Sequence, residues 1–248
     1  RRRNLRIRRE THVKIVMPMA GKGQRFLDAG YLQPKPFIDV NGVCMYRRAL
    51  APFVTEGDCV ILVTQDDHQL HFEAEPDYVH QSNKVFLQAP TEGAACSVLA
   101  ARAFINNDEP LLIVNSDQII RFNRFNWACL ANNTNAEGII FTFMASGSKW
   151  SYARLNEALN VELVAEKVEI SPFATCGAYW WRHGSSFCAA ADEMIEENLR
   201  VNNEFYVAPV YNKAIEEGYL VLPFEVDDMI SLGTPELLKD YLAVRRIK

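Results

Sequence analysis

Residues 13–26 read Val13-Lys14-Ile15-Val16-Met17-Pro18-Met19-Ala20-Gly21-Lys22-Gly23-Gln24-Arg25-Phe26, an apolar run that opens into a glycine-rich turn. Val13–Met17 has the composition of a strand buried on both faces, the kind found in parallel sheets. The turn behind it suits a polyphosphate. Gly21 and Gly23 let backbone N–H groups converge on an anion without a Cβ in the way, at the start of a short helix. Arg25 adds positive charge as a planar fork, Lys22 as a point charge. A third cation, Lys35, follows between Pro34 and Pro36, which restrict the backbone around it. The run is not a Walker A loop, which ends in Gly-Lys-Ser/Thr. Nor is it a dinucleotide G-x-G-x-x-G, because Phe26 replaces the third glycine.

Strand-like runs recur at Cys59–Thr64, Val85–Gln88, Leu111–Asn115 and Gly138–Ala145. Helical patterns lie between them at Met45–Val54, Asp66–Glu73, Ala94–Ile105 and near Phe125–Ala131. This alternation predicts an α/β fold with a mostly parallel central sheet flanked by helices on both faces. Beyond residue 145 the spacing changes, and Val161–Val168 and Ala174–Trp181 read as longer strands of a mixed or antiparallel extension. Helices at Ser185–Leu199 and Pro209–Glu217, a strand at Tyr219–Phe224 and a last helix from Pro235, with Thr234 as N-cap, complete the reading. No repeat or linker divides the chain. One domain is expected over 11–248, preceded by a basic arm, 1–10.

The 248 residues carry 26 Lys+Arg against 31 Asp+Glu, a net charge of −5, with 49% hydrophobic and 23% charged residues. Such proportions exclude a wholly disordered or collagen-like chain. No apolar run approaches the roughly 18 residues of a membrane span, and no signal-peptide core follows the basic start. A soluble, cytoplasmic protein is expected. Six scattered cysteines without a C-x-x-C pair argue against a zinc ribbon, a redox dithiol or a disulfide framework. His68 and His71, beside Asp66 and Asp67, lack the further ligands that a metal site needs. Six arginines fall in the first nine residues, leaving a body of 20 basic and 31 acidic residues. An acidic body and an arm without aromatics argue against a nucleic-acid partner.

In open α/β sheets ligands bind beyond the C-terminal ends of the strands, which singles out the segments after Met17, Gln88 and Asn115. Gln88-Ala-Pro-Thr91-Glu92-Gly93 offers an amide with both donor and acceptor, suited to a pyrimidine edge, and a glycine that permits close approach. Thr91 could equally cap the next helix. Asn115-Ser116-Asp117 brings a carboxylate to a strand end.

The glycine turn and Pro34-Lys35-Pro36 together resemble the signature of the sugar-phosphate nucleotidylyltransferase superfamily, in which G-x-G-x-R-F/M precedes P-K-P. The runs PMAGKGQRF, AGYLQPKPFIDVNG and LGTPELL are most similar to its capsule-associated branch, some of whose members activate phosphorylated building blocks with CTP. The similarity extends from about Val13 to Leu242.

That resemblance implies a Rossmann-like, GT-A-like nucleotidyltransferase fold, with a nucleotide-binding half, 11–145, and an acceptor-binding half, 146–248. It places Met19, Ala20, Gly21, Lys22 and Gly23 around the triphosphate, Arg25 on the departing pyrophosphate and Lys35 on the α-phosphate. Gln88, Thr91, Glu92 and Gly93 would read the base, and Asp117 would hold Mg²⁺. The family's second metal carboxylate, in D-x-G-T, is replaced here by Ser231-Leu232-Gly233-Thr234, so either Asp117 with waters and phosphates holds the metal, or Asp227 or Asp228 substitutes; Asp117 is the firmer expectation. Tyr152, Glu166, Gly177 and Glu204 would bind the acceptor, with Lys167 on its phosphate. Val168 stands where the family has proline. The implied activity transfers a nucleoside monophosphate from CTP, then UTP or dTTP, to a phosphorylated small molecule or sugar phosphate, for capsule or surface polysaccharide. A homodimer fits the relatives. The competing readings are a nucleotide-sugar glycosyltransferase, with Asn115-Ser116-Asp117 as a degenerate D-x-D, and a non-catalytic nucleotide-sensing subunit, to which Ser231 points.

Overall fold

β1 (Lys14–Pro18) pairs in parallel with β2 (Cys59–Gln65) on one side and β4 (Leu111–Val114) on the other, in a computed structural model that describes residues 12–74 and 82–245. β3 (Asn83–Leu87) extends the parallel set beyond β2. The arginine-rich arm lies outside the described residues. Between these strands run α1 (Gln24–Asp28), a 3-10 turn at Lys35–Phe37, α2 (Met45–Leu50), α3 (Gln69–Ala74), α4 (Ala94–Leu99) and α5 (Arg102–Ile105). β5 (Gln118–Arg121) and α6 (Arg124–Asn133) lead into β6 (Gly138–Met144). The later elements are β7 (Ser151–Leu155), β8 (Val161–Glu166), β9 (Phe173–Trp181), α7 (Gly184–Glu196), α8 (Val210–Glu216), β10 (Val221–Glu225), β11 (Asp228–Ser231) and α9 (Pro235–Arg245).

The main sheet runs β10-β6-β9-β4-β1-β2-β3, with β7 and β8 attached beside β9. β9 is antiparallel to both β4 and β6, and β10 is parallel to β6. The architecture is therefore the expected α/β fold, a mostly parallel sheet between two helical layers.

Period-two alternation explains why it needs helices on both faces. Val16, Ile61 and Ile113 face one apolar cluster, with α4, α7 and α8, while Ile15, Met17, Val60, Leu62 and Leu112 face the other, with α2 and α6. Stacked Trp181 and Tyr211, 4.3 Å apart, anchor the first cluster. Strand order reverses between β1 and β4, and that switch point opens a crevice at their C-terminal ends.

Two expectations change in the structure. The helix read over Ala94–Ile105 breaks into α4 and α5, without Gly or Pro, where the Ala101 N–H takes a tight bond to the Val98 carbonyl at 2.9 Å. β5, β7 and β11 form although their sequences carry no strand pattern, because β5 and β11 pair with each other across more than a hundred residues and β7 pairs with the neighbouring β8 and touches β9.

Candidate active site

At the switch point lies a cleft of about 300 Å³. Arg25 and Lys35 stand on its wall with Asp117, while Glu166, Gly177 and Tyr206 also line it. Lys35 leads the 3-10 turn, and Phe37 anchors that turn among the rings of Tyr46, His68, His71 and Phe72. The Lys35 ammonium meets Asp117 Oδ2 at 2.6 Å, with both side chains about four-fifths buried (20% and 22% exposed). Gly23 makes this possible. It caps α1 at φ +63°, and a Cβ there would stand 2.8 Å from the Lys35 Cβ.

The rest of the glycine turn divides in two. Met19 and Ala20 are buried, the Met19 N–H bonded to the Val63 carbonyl at 2.8 Å and the Ala20 carbonyl accepting from the Gln65 amide. Gly21 and Lys22 are exposed and do not line the cleft. Gln65, a brace for this turn, was not distinguished in the sequence because it reads only as the end of a strand.

Asp117 follows β4, and its carbonyl accepts from the Leu232 N–H at 2.7 Å. The β5–β11 ladder sets Ser231 opposite Gln118, so Ser231 lines the cleft next to Asp117. The same register overturns the expectation for Asp228. It pairs with Arg121 at the far end of the ladder and makes a 3.5 Å ion pair there, three steps or roughly 10 Å from Ser231. The Asp227 N–H is likewise bonded to the Arg121 carbonyl. Asp117 with the Ser231 hydroxyl suits a hard cation that retains waters and takes phosphate oxygens. Among the described residues no cluster of three or more His, Cys, Asp or Glu could hold an ion by itself.

The loop after β3 is clamped to the segment around Phe205. The Phe205 N–H bonds to the Glu92 carbonyl at 2.8 Å, and the Ala95 N–H to the Phe205 carbonyl at 3.0 Å. Arg200 pairs with Glu92 and lies 4.1 Å from the Phe205 ring centroid. Gly93 sits at φ +137° in this contact, where a Cβ would meet Phe205 backbone atoms at 2.4 Å. Gln88 and Glu92 are exposed, and of this segment Ala94 is the residue on the cleft wall. Thr91 does not cap α4. Its hydroxyl contacts the Gly93 carbonyl at 2.9 Å and the Ser97 hydroxyl at 2.6 Å, and Gly93 occupies the N-cap.

At the other end, Glu166 is only 8% exposed and accepts from the Ser151 hydroxyl. Thr175 and Tyr179 hydroxyls, 2.9 Å apart, line the same floor. Tyr152 was expected here, yet it gives the cleft no side chain. Ser151 pairs directly with Glu166 across β7–β8, so the next residue, Tyr152, turns to the opposite face and is fully buried with its hydroxyl on the Gly147 carbonyl at 2.6 Å. Trp150 and Ser151 line the cleft in its stead. Gly177 is on the wall, its carbonyl accepting from the Asn115 N–H at 2.8 Å. Glu204 is exposed beside Tyr206 and off the wall. Lys167 is also off the wall, its ammonium on the Tyr206 hydroxyl. It adopts φ +58°, a conformation that a following proline would disfavour, which accounts physically for Val168.

Burial pushes the Glu166 carboxyl up, opposed by the Ser151 bond and the Lys167 charge. A raised folded pKa means that ionised Glu166 costs stability, increasingly so as pH rises from the ordinary carboxylate range through the raised value. Glu166→Gln is therefore expected to melt above the wild type at pH 8, with the gap closing toward pH 4. Thermal melts across that range check the sign, and a variant less stable at pH 8 would refute it.

No disulfide joins any of the six cysteines, and no helix among the described residues is long and apolar enough to cross a membrane. A family model described as "Nucleotidyl transferase" matches residues 14–238. No curated protein matches the chain significantly. Among solved structures, the nucleoside-diphosphate-sugar pyrophosphorylase from Vibrio cholerae RC9 is 24% identical with a TM-score of 0.79, over 92% of this chain and 99% of that one. A UDP-glucose pyrophosphorylase complexed with UDP-glucose is 16% identical with a TM-score of 0.78, over 95% and 99%. The inositol-1-phosphate CTP transferase from T. maritima is 15% identical with a TM-score of 0.73, over 96% of each chain. These likenesses concern the fold.

Proposed function

This chain belongs to the nucleotidyl transferase family, and from that premise we propose that it transfers the nucleoside monophosphate of a pyrimidine triphosphate to a phosphorylated small molecule. CTP is the favoured donor, ahead of UTP and dTTP, and the product serves capsule or surface polysaccharide in the cytoplasm. The supporting observation is the Lys35–Asp117 pair at 2.6 Å, set in one cleft with Arg25 and, across the floor, with Glu166.

An oxygen of the acceptor's phosphate attacks the α-phosphorus, the bond from that phosphorus to the β-phosphate oxygen breaks, and pyrophosphate leaves. The nucleophile is already anionic, so no side chain needs to remove a proton. Lys35 neutralises the α-phosphate, Arg25 holds the departing pyrophosphate, and Lys167 provides charge for the acceptor's phosphate. Bound Mg²⁺ would supply further neutralisation of the triphosphate, with Asp117 and Ser231 as its protein ligands. Glu166, fixed by Ser151, orients the acceptor through its hydroxyl groups.

A thermal-shift panel of CTP, UTP, dTTP, ATP and GTP and their diphosphate-sugars, each with and without Mg²⁺, tests the reading. A ligand at about 100 times its Kd stabilises by ~2.7 kcal/mol. At ~2–4 °C per kcal/mol the correct triphosphate raises the Tm by roughly 5–10 °C. Diphosphate-sugars binding while every triphosphate fails would instead support a glycosyltransferase. Triphosphate binding without pyrophosphate release across an acceptor panel would support a sensing subunit.

A further inference from the structure

Tyr206 stands between the cleft and the ammonium that the acceptor reading relies on. Lys167 Nζ donates to the Tyr206 hydroxyl across 39 residues of sequence and lies 4.5 Å from the Tyr206 ring centroid. Tyr206 lines the cleft and Lys167 does not. The lysine is committed to this place by its backbone. It turns left-handed at the end of β8, at φ +58°, and its N–H is tied to the Trp150 carbonyl at 3.0 Å. Tyr206 is held just as firmly, because the adjacent Phe205 is clamped to Glu92 and Ala95 through both backbone groups.

The pairing of an ammonium with a phenol has a specific consequence. A neutral hydroxyl and an aromatic face hold the cation without cancelling it. Burial pushes the Tyr206 pKa up, against the pull of Lys167, so the phenol keeps its proton. A hydroxyl that accepts from an ammonium is polarised into a better donor through its own O–H. Glu204 lies beside this hydroxyl and competes for that proton. The group that displaces it must be a strong anionic acceptor, which a phosphate dianion is.

We propose that Tyr206 is the cleft-facing contact for the acceptor's phosphate, with Lys167 acting through it. The identity of that anion rests on the nucleotidyl-transfer reading; the contact itself does not. Inorganic phosphate is the probe, titrated into the full chain by calorimetry and followed at the ¹³Cζ resonance of Tyr206 in tyrosine-labelled protein. Phosphate is expected to move that resonance. Tyr206→Phe and Lys167→Met should each weaken binding about tenfold, and the double variant should bind no more weakly than the worse single one, because both act through one contact.

Wild-type affinity in Tyr206→Phe alongside a loss in Lys167→Met would overturn the proposal in favour of direct lysine contact. Additive losses would overturn it in favour of two separate contacts, and so would a Tyr206 resonance that phosphate leaves unmoved. Tyr206→Phe removes one oxygen and keeps the ring. Should it fold poorly, the wild-type resonance and its loss of response in Lys167→Met still decide. Coupled phosphate binding in a protein that never releases pyrophosphate would sink the nucleotidyl-transfer reading and leave this contact standing.

Discussion

Lys35→Ala is expected to lower turnover by about 10³-fold or more, while the variant folds and melts within a few degrees of the wild type. The size follows from where the ammonium stands. It is four-fifths buried, fixed by prolines on either side and by the Phe37 anchor, and it touches the Asp117 carboxylate on the wall of the cleft. A charge preorganised in this way stabilises developing negative charge without reorganisation at the moment of transfer. The fold should survive because Asp117, left without its partner, still faces the open cleft, so no charge is stranded in the interior. Single-turnover pyrophosphate release and a thermal melt are the two measurements. Near-normal turnover would remove Lys35 from the chemistry, and with it the mechanism proposed above. Lys35→Arg is not expected to rescue, because a planar fork places its charge differently from the compact ammonium that meets a single Asp117 oxygen.

Gly93→Ala should have the largest effect on stability. The residue holds φ +137°, and an added Cβ would lie 2.4–2.5 Å from the Phe205 carbonyl oxygen and amide nitrogen. Those are backbone atoms committed to Glu92 and Ala95, so they cannot swing aside as a side-chain end could. At φ 137°, ψ 173° the backbone is in a region essentially reserved for glycine, which costs an alanine upward of about 1 kcal/mol, and the forced separation of two backbone segments adds about 1–3 kcal/mol. A total of roughly 2–4 kcal/mol lowers the Tm by about 5–15 °C. The clamp joins the segment expected to read the base to the segment carrying Glu204 and Tyr206. The same substitution should therefore weaken nucleotide and phosphate binding together, which calorimetry on the folded fraction would show. A variant with wild-type Tm and wild-type affinities would mean that the clamp is incidental.

The parallel strands, the glycine turn, the proline-bracketed lysine and the carboxylate after β4 were legible in the sequence. Each is a local property. Apolar runs of four to seven residues mark buried strands, glycine and proline restrict their own backbones, and a motif of this kind acts within a dozen residues. Arg25, Lys35 and Asp117 could be named on that basis, Glu166 and Gly177 only through the family resemblance, and all five line one cleft. What only the tertiary structure decided depends on register between distant segments. Tyr152 and Ser151 are neighbours in sequence, yet the pairing of Ser151 with Glu166 sends one to the cleft and the other to the interior. Asp228 and Ser231 lie three residues apart, and the ladder with β5 places Ser231, not the carboxylate, beside Asp117. Lys167 meets Tyr206 only because two segments separated by 39 residues fold against each other. A strand's side chains alternate faces with every residue, so a single step of register exchanges the buried set for the exposed one. Local chemistry can therefore nominate the residues of a site, but cross-strand pairing decides which of them face the ligand.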